Sequence, residues 1–257
     1  MGDVLLVACG GGATSTVSNA EDLQSTPIVI LTNNSETATI AYDDLDSIKK
    51  SMKNYRVVIP FMILGGELST SIVRDVISCA RECECKVVSV LGMPLEIEQV
   101  RRQRAVKNLS DVVALSDCSL VFDMQKSMDI FSEQYVDRKF DFFLKMIDRV
   151  VMKSIESIIE CLNGPFFTIF KEKLYAFASF NDVLPLNAVR KAWDQMMFDN
   201  DTLKESCVVM VSSRISTAEM EEIGNVIVME KGIMPEVVRR SDTEDSKVIV
   251  FKAVRSF

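Results

Sequence analysis

Five short apolar runs in the first half of the chain are separated by stretches of helical periodicity. This alternation constrains the fold more than any other feature. The runs are DVLLVA (3–8), PIVILT (27–32), YRVVIPFMI (55–63), KVVSVLG (86–92) and SLVFD (119–123). Between them lie a short helical stretch after the first run, an amphipathic YDDLDSIKKSMKN (42–54), a helix from about Ser69, and IEQVRRQRAVKNLSDVVAL (97–115). In the third of these, Ile72, Val73, Val76, Ile77 and Ala80 recur at helical spacing. Strand–helix alternation of this kind predicts an α/β fold with a doubly wound, mostly parallel sheet, its ligands at the carboxyl ends of the strands.

The second half reads differently. A long helix is predicted over about 137–162, carrying Phe140, Phe143, Leu144, Ile147, Val151, Ile155, Ile158 and Ile159. Asn163-Gly164-Pro165 ends it, because a helix does not run through Gly-Pro. Beyond come LYAFASF, a helix NAVRKAWDQMMF, SCVVMVSS, a helix TAEMEEIGNVI and a closing strand KVIVFKAV. The expected division is an α/β domain over 1–136, the central helix over 137–163 and a smaller α+β domain over 164–257.

Composition removes whole classes of chemistry. There is no histidine, which excludes Ser-His-Asp and Cys-His catalysis, histidine-ligated zinc and histidine general bases. The seven cysteines are odd in number and scattered; they read as reduced thiols, with no metal site expected. A net charge of −8 argues against a nucleic-acid binder. No apolar run approaches the roughly 20 residues of a membrane span. The start carries no basic leader, and Leu6 stands where a myristoylation motif needs Ser or Thr. The expected location is the cytoplasm.

Two glycine-rich turns join a strand to a helix: Gly10-Gly11-Gly12 and Gly65-Gly66. Neither fits G-x-x-x-x-G-K-[ST] or G-x-G-x-x-G. Close strand–helix packing accounts for one such turn as well as phosphate binding does. Two in one sheet, after the first and third strands, could face each other across a single crevice. Glu67 sits inside the second turn. It would repel a phosphate, point to solvent, or help hold a magnesium ion.

These stretches resemble the FtsZ/tubulin superfamily. VLLVACGGGATSTV looks like its first strand and glycine loop, and residues 57–92 are similar to its GGGTGTG strand–loop–helix–strand, with 65–71 on the signature. Pro94-Leu95-Glu96-Ile97-Glu98 looks like its P-F-x-F-E, and Arg102 follows Glu98 by four residues as the family's arginine does. The long helix, from Asp148-Arg149-Val150-Val151 onward, is similar to the family's central helix. The resemblance implies that 1–136 is a nucleotide-binding domain for GTP or GDP, with or without magnesium. Gly10, Gly11, Gly12 and Ser15 would border base and phosphates, and Gly65, Gly66, Ser69 and Thr70 would wrap phosphates. Glu98 would bond the ribose, Arg102 would reach ribose or phosphate, and Asp148 would accept from guanine. Read alone, Glu98 is equally a solvent-facing residue, Arg102 a helix-surface residue and Asp148 a partner of the helix dipole.

The departures matter too. Glu67, Leu68 and Ser71 replace signature Gly and Thr residues, and the chain is about twenty residues shorter than the family between Thr32 and Val57, where the γ-phosphate-sensing loop belongs. The acidic N-x-D-x-x-D loop is replaced by Gly164-Pro165-Phe166-Phe167-Thr168-Ile169, which holds no carboxylate. The implied function is a divergent cytoskeletal or cell-division protein with weak or lost GTP hydrolysis, associating head to tail. The alternatives are a non-hydrolysing scaffold or regulator of an FtsZ-like filament, and a Rossmann-like dinucleotide enzyme. The last lacks both its glycine fingerprint and an acid after the second strand, where Thr32-Asn33-Asn34 stand.

Overall fold

The computed structural model describes residues 3–19, 26–135, 137–162, 170–198, 203–211, 215–239 and 247–254. Five βα units open the chain: β1 (Val4–Cys9), α1 (Gly10–Ser18), β2 (Ile28–Leu31), α2 (Leu45–Met52), β3 (Val57–Ile63), α3 (Glu67–Glu82), β4 (Lys86–Met93), α4 (Gln99–Leu115), β5 (Cys118–Asp123) and α5 (Met124–Gln134). The long α6 (Phe140–Leu162) follows, then β6 (Leu174–Asn181), α7 (Pro185–Asp194), β7 (Leu203–Val211), α8 (Thr217–Lys231), β8 (Pro235–Arg239) and β9 (Lys247–Val254).

The nine strands among the described residues join one sheet in the order β2-β1-β3-β4-β5-β6-β9-β7-β8. The pairs from β2 to β6 are parallel, β9 runs antiparallel to both β6 and β7, and β7 pairs β8 in parallel. The sheet therefore continues from the first half of the chain into the second through Ser119↔Leu174, Leu120↔Tyr175 and Val121↔Ala176.

Why these runs become central strands is visible in β1. Leu5, Val7 and Cys9 point into one core, and Val4, Leu6 and Ala8 into the other. A strand buried on both faces reads as an unbroken apolar run, with no polar alternation. One face is covered by α2, α3, α4, α7 and α8, through residues such as Ile48, Val76, Leu109, Ala188 and Ile223. The other is covered by α1, α5 and α6, through Ala13, Phe131, Ile155 and Ile158. Among the described residues, no helix is long and apolar enough to cross a membrane.

The structure adds two elements that periodicity did not separate. The first is α5, which starts where the Asp123 side chain accepts from the Gln125 amide at 2.8 Å. The second is β8, a five-residue edge strand. The first glycine turn also differs from a loop: α1 begins at Gly10 itself, directly on the end of β1.

Candidate functional site

The strand order reverses between β1 and β3: β2 follows β1 on one side, while β3, β4 and β5 extend on the other. In an open parallel sheet the crevice at such a reversal is where ligands bind. Both glycine turns open there, since β1 and β3 pair in parallel register. Gly10 has φ +83 and Gly65 has φ +84, a left-handed conformation that costs a glycine nothing. It lets each strand turn into its helix within one or two residues. Neither α1 nor α3 has a side chain capping its first amides. The free N–H groups of two helices thus converge on one crevice, as anion-binding sites require.

The two turns touch each other. A Cβ on Gly10 would lie 2.7 Å from Ser69 Cβ, closer than side-chain atoms approach. The hydroxyls of Ser69 and Thr70 turn back to the Gly66 carbonyl, at 3.1 and 2.8 Å. Thr70 also accepts from Asn108 Nδ2 at 3.0 Å. The structure therefore brings Ser69 and Thr70 to the crevice wall, with their hydroxyls satisfied internally. Ser15 is an exposed position of α1.

At the far end of α1 lies Asp148. Its carboxylate accepts from Thr16 Oγ1 at 2.7 Å and from Asn19 Nδ2 at 3.0 Å. A carboxylate offers about four acceptor positions, so each oxygen keeps capacity for one further donor. Asp148 is held by the same helix that begins with Gly10-Gly11-Gly12. The first glycine turn and this acid are thus two ends of one rigid unit.

The start of α4 packs on the second glycine turn, where a Cβ on Gly65 would meet Arg101. Glu98 accepts from Arg101 Nη1 at 2.7 Å. Arg102 faces away: Nη1 donates to Asp123 Oδ1 at 3.0 Å and to the Pro94 carbonyl at 2.6 Å, and Nη2 donates to Asp123 Oδ2. The side-chain hydrogen bond to Asp123 raises the guanidinium pKa above its ordinary value, against the smaller effect of desolvation. Glu67 extends into solvent and pairs with Arg104 Nη1 at 3.0 Å. A carboxylate in the first turn of α3 complements the helix dipole, so the charge that looked hostile to phosphate is directed outward and neutralised.

Of the residues singled out from sequence, the structure sets Gly10, Gly11 and Gly12 at the end of β1 and Gly65, Gly66, Ser69 and Thr70 at the end of β3, brings Gly10 against Ser69, pairs Glu98 with Arg101, leaves Ser15 exposed and places Asp148 against α1. It directs Arg102 to Asp123. Residues that sequence reasoning missed are Arg101, Arg104, Thr16, Asn19 and Asp123. The cluster QVRRQR directly after Glu98 and an acid closing β5 were the available signals. The substituted acidic loop, 164–169, lies outside the described residues.

A sheet of this order with a long helix between its two halves and paired glycine turns at the reversal is the FtsZ/tubulin type of fold, and this chain has that fold. Among solved structures it is similar to an empty FtsZ dimer from M. jannaschii, with a TM-score of 0.75 at 14% identity over 98% of this chain and 88% of that one. It is similar to CetZ from Methanosaeta thermophila, with a TM-score of 0.70 at 10% identity over 100% and 88%. It is also similar to TubZ of Bacillus thuringiensis serovar israelensis in GDP-form protofilaments, with a TM-score of 0.64 at 11% identity over 99% and 86%. No family profile matches the sequence, and no curated protein matches it.

Proposed function

We propose that this chain is a divergent FtsZ/tubulin-like protein of the cytoplasm that binds GTP or GDP, with or without magnesium, and associates head to tail. The observation that carries the reading is the meeting of the two glycine turns at the strand-order reversal, in van der Waals contact through Gly10 and Ser69. The residues fit such a ligand. The uncapped first turns of α1 and α3 offer amides to phosphates, and Asp148 keeps acceptor capacity of the kind that guanine's N1 and N2 donors need. A dinucleotide enzyme is disfavoured because β2 ends at Leu31 and is followed by Thr32, Asn33 and Asn34, with no acid for a ribose. The division into a nucleotide-binding part (1–136), a central helix (137–163) and a smaller C-terminal part (164–257) belongs to the same proposal.

Hydrolysis is weak or lost in this reading. Residues 164–169 contain no carboxylate to position a water, and phosphoryl transfer depends on positioning and charge stabilisation. The test is titration calorimetry with GTP, GDP, ATP and NAD, together with phosphate release and sedimentation over a range of protein concentrations with magnesium. Binding of guanine nucleotides in preference to ATP and NAD is expected, with release at background throughout. Sedimentation with GTP supports self-assembly, and its absence favours the non-hydrolysing regulator. Release that climbs with protein concentration would refute the loss of hydrolysis, and NAD binding without GTP binding would refute the whole reading.

A further inference from the structure

We propose that Arg101, and not Arg102, is the cation that meets the phosphates in this crevice, and that Arg102 is a structural arginine. The inference rests on the guanine-nucleotide reading above. It comes from where each side chain is held. Arg102 is committed to the Asp123 carboxylate and the Pro94 carbonyl. Asp123 is buried and also caps α5. Turning Arg102 toward the crevice would leave that carboxylate unpaired in a poorly solvated place, which is costly.

Arg101 lies across both glycine turns instead. A Cβ on Gly65 would fall 2.7 Å from Arg101 Cγ and closer still to its carbonyl oxygen, so the second turn packs directly on this residue. A Cβ on Gly12 would begin 3.4 Å from Arg101 Nη2, so the guanidinium also reaches the first turn. The stem therefore packs on the second turn while the head group stands beside the first. Its hydrogen bond to Glu98 engages Nη1. A guanidinium has five N–H donors in a fork suited to phosphate oxygens, so donors remain for a ligand. The short Glu98 contact holds the fork in place until a phosphate competes for it.

The experiment measures affinity for GDP, guanosine and inorganic pyrophosphate by calorimetry, with thermal melting alongside, on wild type, Arg101→Ala, Arg101→Lys and Arg102→Lys. Arg101→Ala should weaken GDP and pyrophosphate about tenfold to a hundredfold, the range for hydrogen bonds to a charged group, and leave guanosine unchanged. Arg101→Lys keeps the stem that packs on Gly65 and should fall in between. Arg102→Lys should lower the melting temperature while GDP affinity stays within about twofold. GDP binding unaffected by Arg101→Ala would overturn the assignment, as would parallel loss of GDP and guanosine, which marks a packing role only. Pyrophosphate binding that depends on Arg101, with no gain from the guanosine moiety, would uphold Arg101 and refute the guanine reading. A wild type that binds neither GDP nor pyrophosphate would refute both.

Discussion

Replacing Gly65 by alanine is the sharpest test of how the crevice is built. Two separate penalties apply at this position. At φ +84 a residue with a Cβ pays about 1–2 kcal/mol for the left-handed conformation. The new methyl would also sit 2.7 Å from Arg101 Cγ and closer to the Arg101 carbonyl oxygen. The second of these atoms is backbone in α4 and cannot swing aside, so α3 and α4 must separate locally, an overpacking cost of about 1–3 kcal/mol. Together the substitution should destabilise the protein by about 2–5 kcal/mol and lower the melting temperature by roughly 5–15 °C. Gly11→Ala is the internal control: a Cβ there meets nothing within 4 Å, and stability should stay within about 0.5 kcal/mol of wild type. Gly66→Ala lies between, since its Cβ would meet Ser69 Oγ at 2.7 Å, a hydroxyl that can rotate away. Equilibrium urea unfolding followed by circular dichroism ranks the three. A Gly65→Ala protein within 1 kcal/mol of wild type would show that α4 does not press on the second glycine turn, and the placement of Arg101 would fall with it.

Two further outcomes follow from buried groups. Asp123→Asn removes the charge facing Arg102 but keeps an N-cap for α5, so it should cost about 1.5–3 kcal/mol; Asp123→Ala should cost about 1 kcal/mol more. Urea unfolding within 0.5 kcal/mol of wild type for the asparagine variant would mean that the pair adds nothing to stability. Burial pushes the Cys207 thiol from 9.0 up to about 12. The folded state therefore holds a proton that the unfolded chain releases above pH 9. Stability is complete below that pH and declines toward pH 12, by about 1.4 kcal/mol per pH unit from this thiol. Under reducing conditions, Cys207→Ala should flatten the decline of unfolding free energy between pH 9.5 and 10.5 by that amount; an unchanged slope would show that the thiol is solvated.

Much of the architecture was legible along the chain. Runs apolar on both faces, such as Val4–Cys9, have nowhere to lie except in the middle of a covered sheet. Helical stretches between such runs require parallel crossovers. The long apolar stripe from Ile147 to Leu162 specifies a buried helix by periodicity alone, and the two glycine turns mark where strands pass abruptly into helices. These are local properties, set by hydrophobic period and backbone sterics, and neighbours in sequence suffice to express them.

Which parts come together was decided only by tertiary structure. Strand order sets β1 beside β3, and that adjacency turns two ordinary glycine turns into one crevice. The resemblance to the FtsZ/tubulin superfamily pointed to Arg102, four residues after Glu98, yet the register of α4 turns Arg102 to Asp123 and Arg101 to the glycines. Adjacent positions on a helix differ by about 100°, so which of two neighbouring arginines faces a ligand depends on how the helix sits on the sheet. Asp123, the partner of Arg102, lies 21 residues away at the end of β5. Asp148 likewise meets Thr16 across 132 residues. The charge of Glu67 is answered by Arg104 on the neighbouring helix. Local sequence specifies which elements form because their periods are short; pairing between distant side chains follows from packing, which brings them together only in the folded chain.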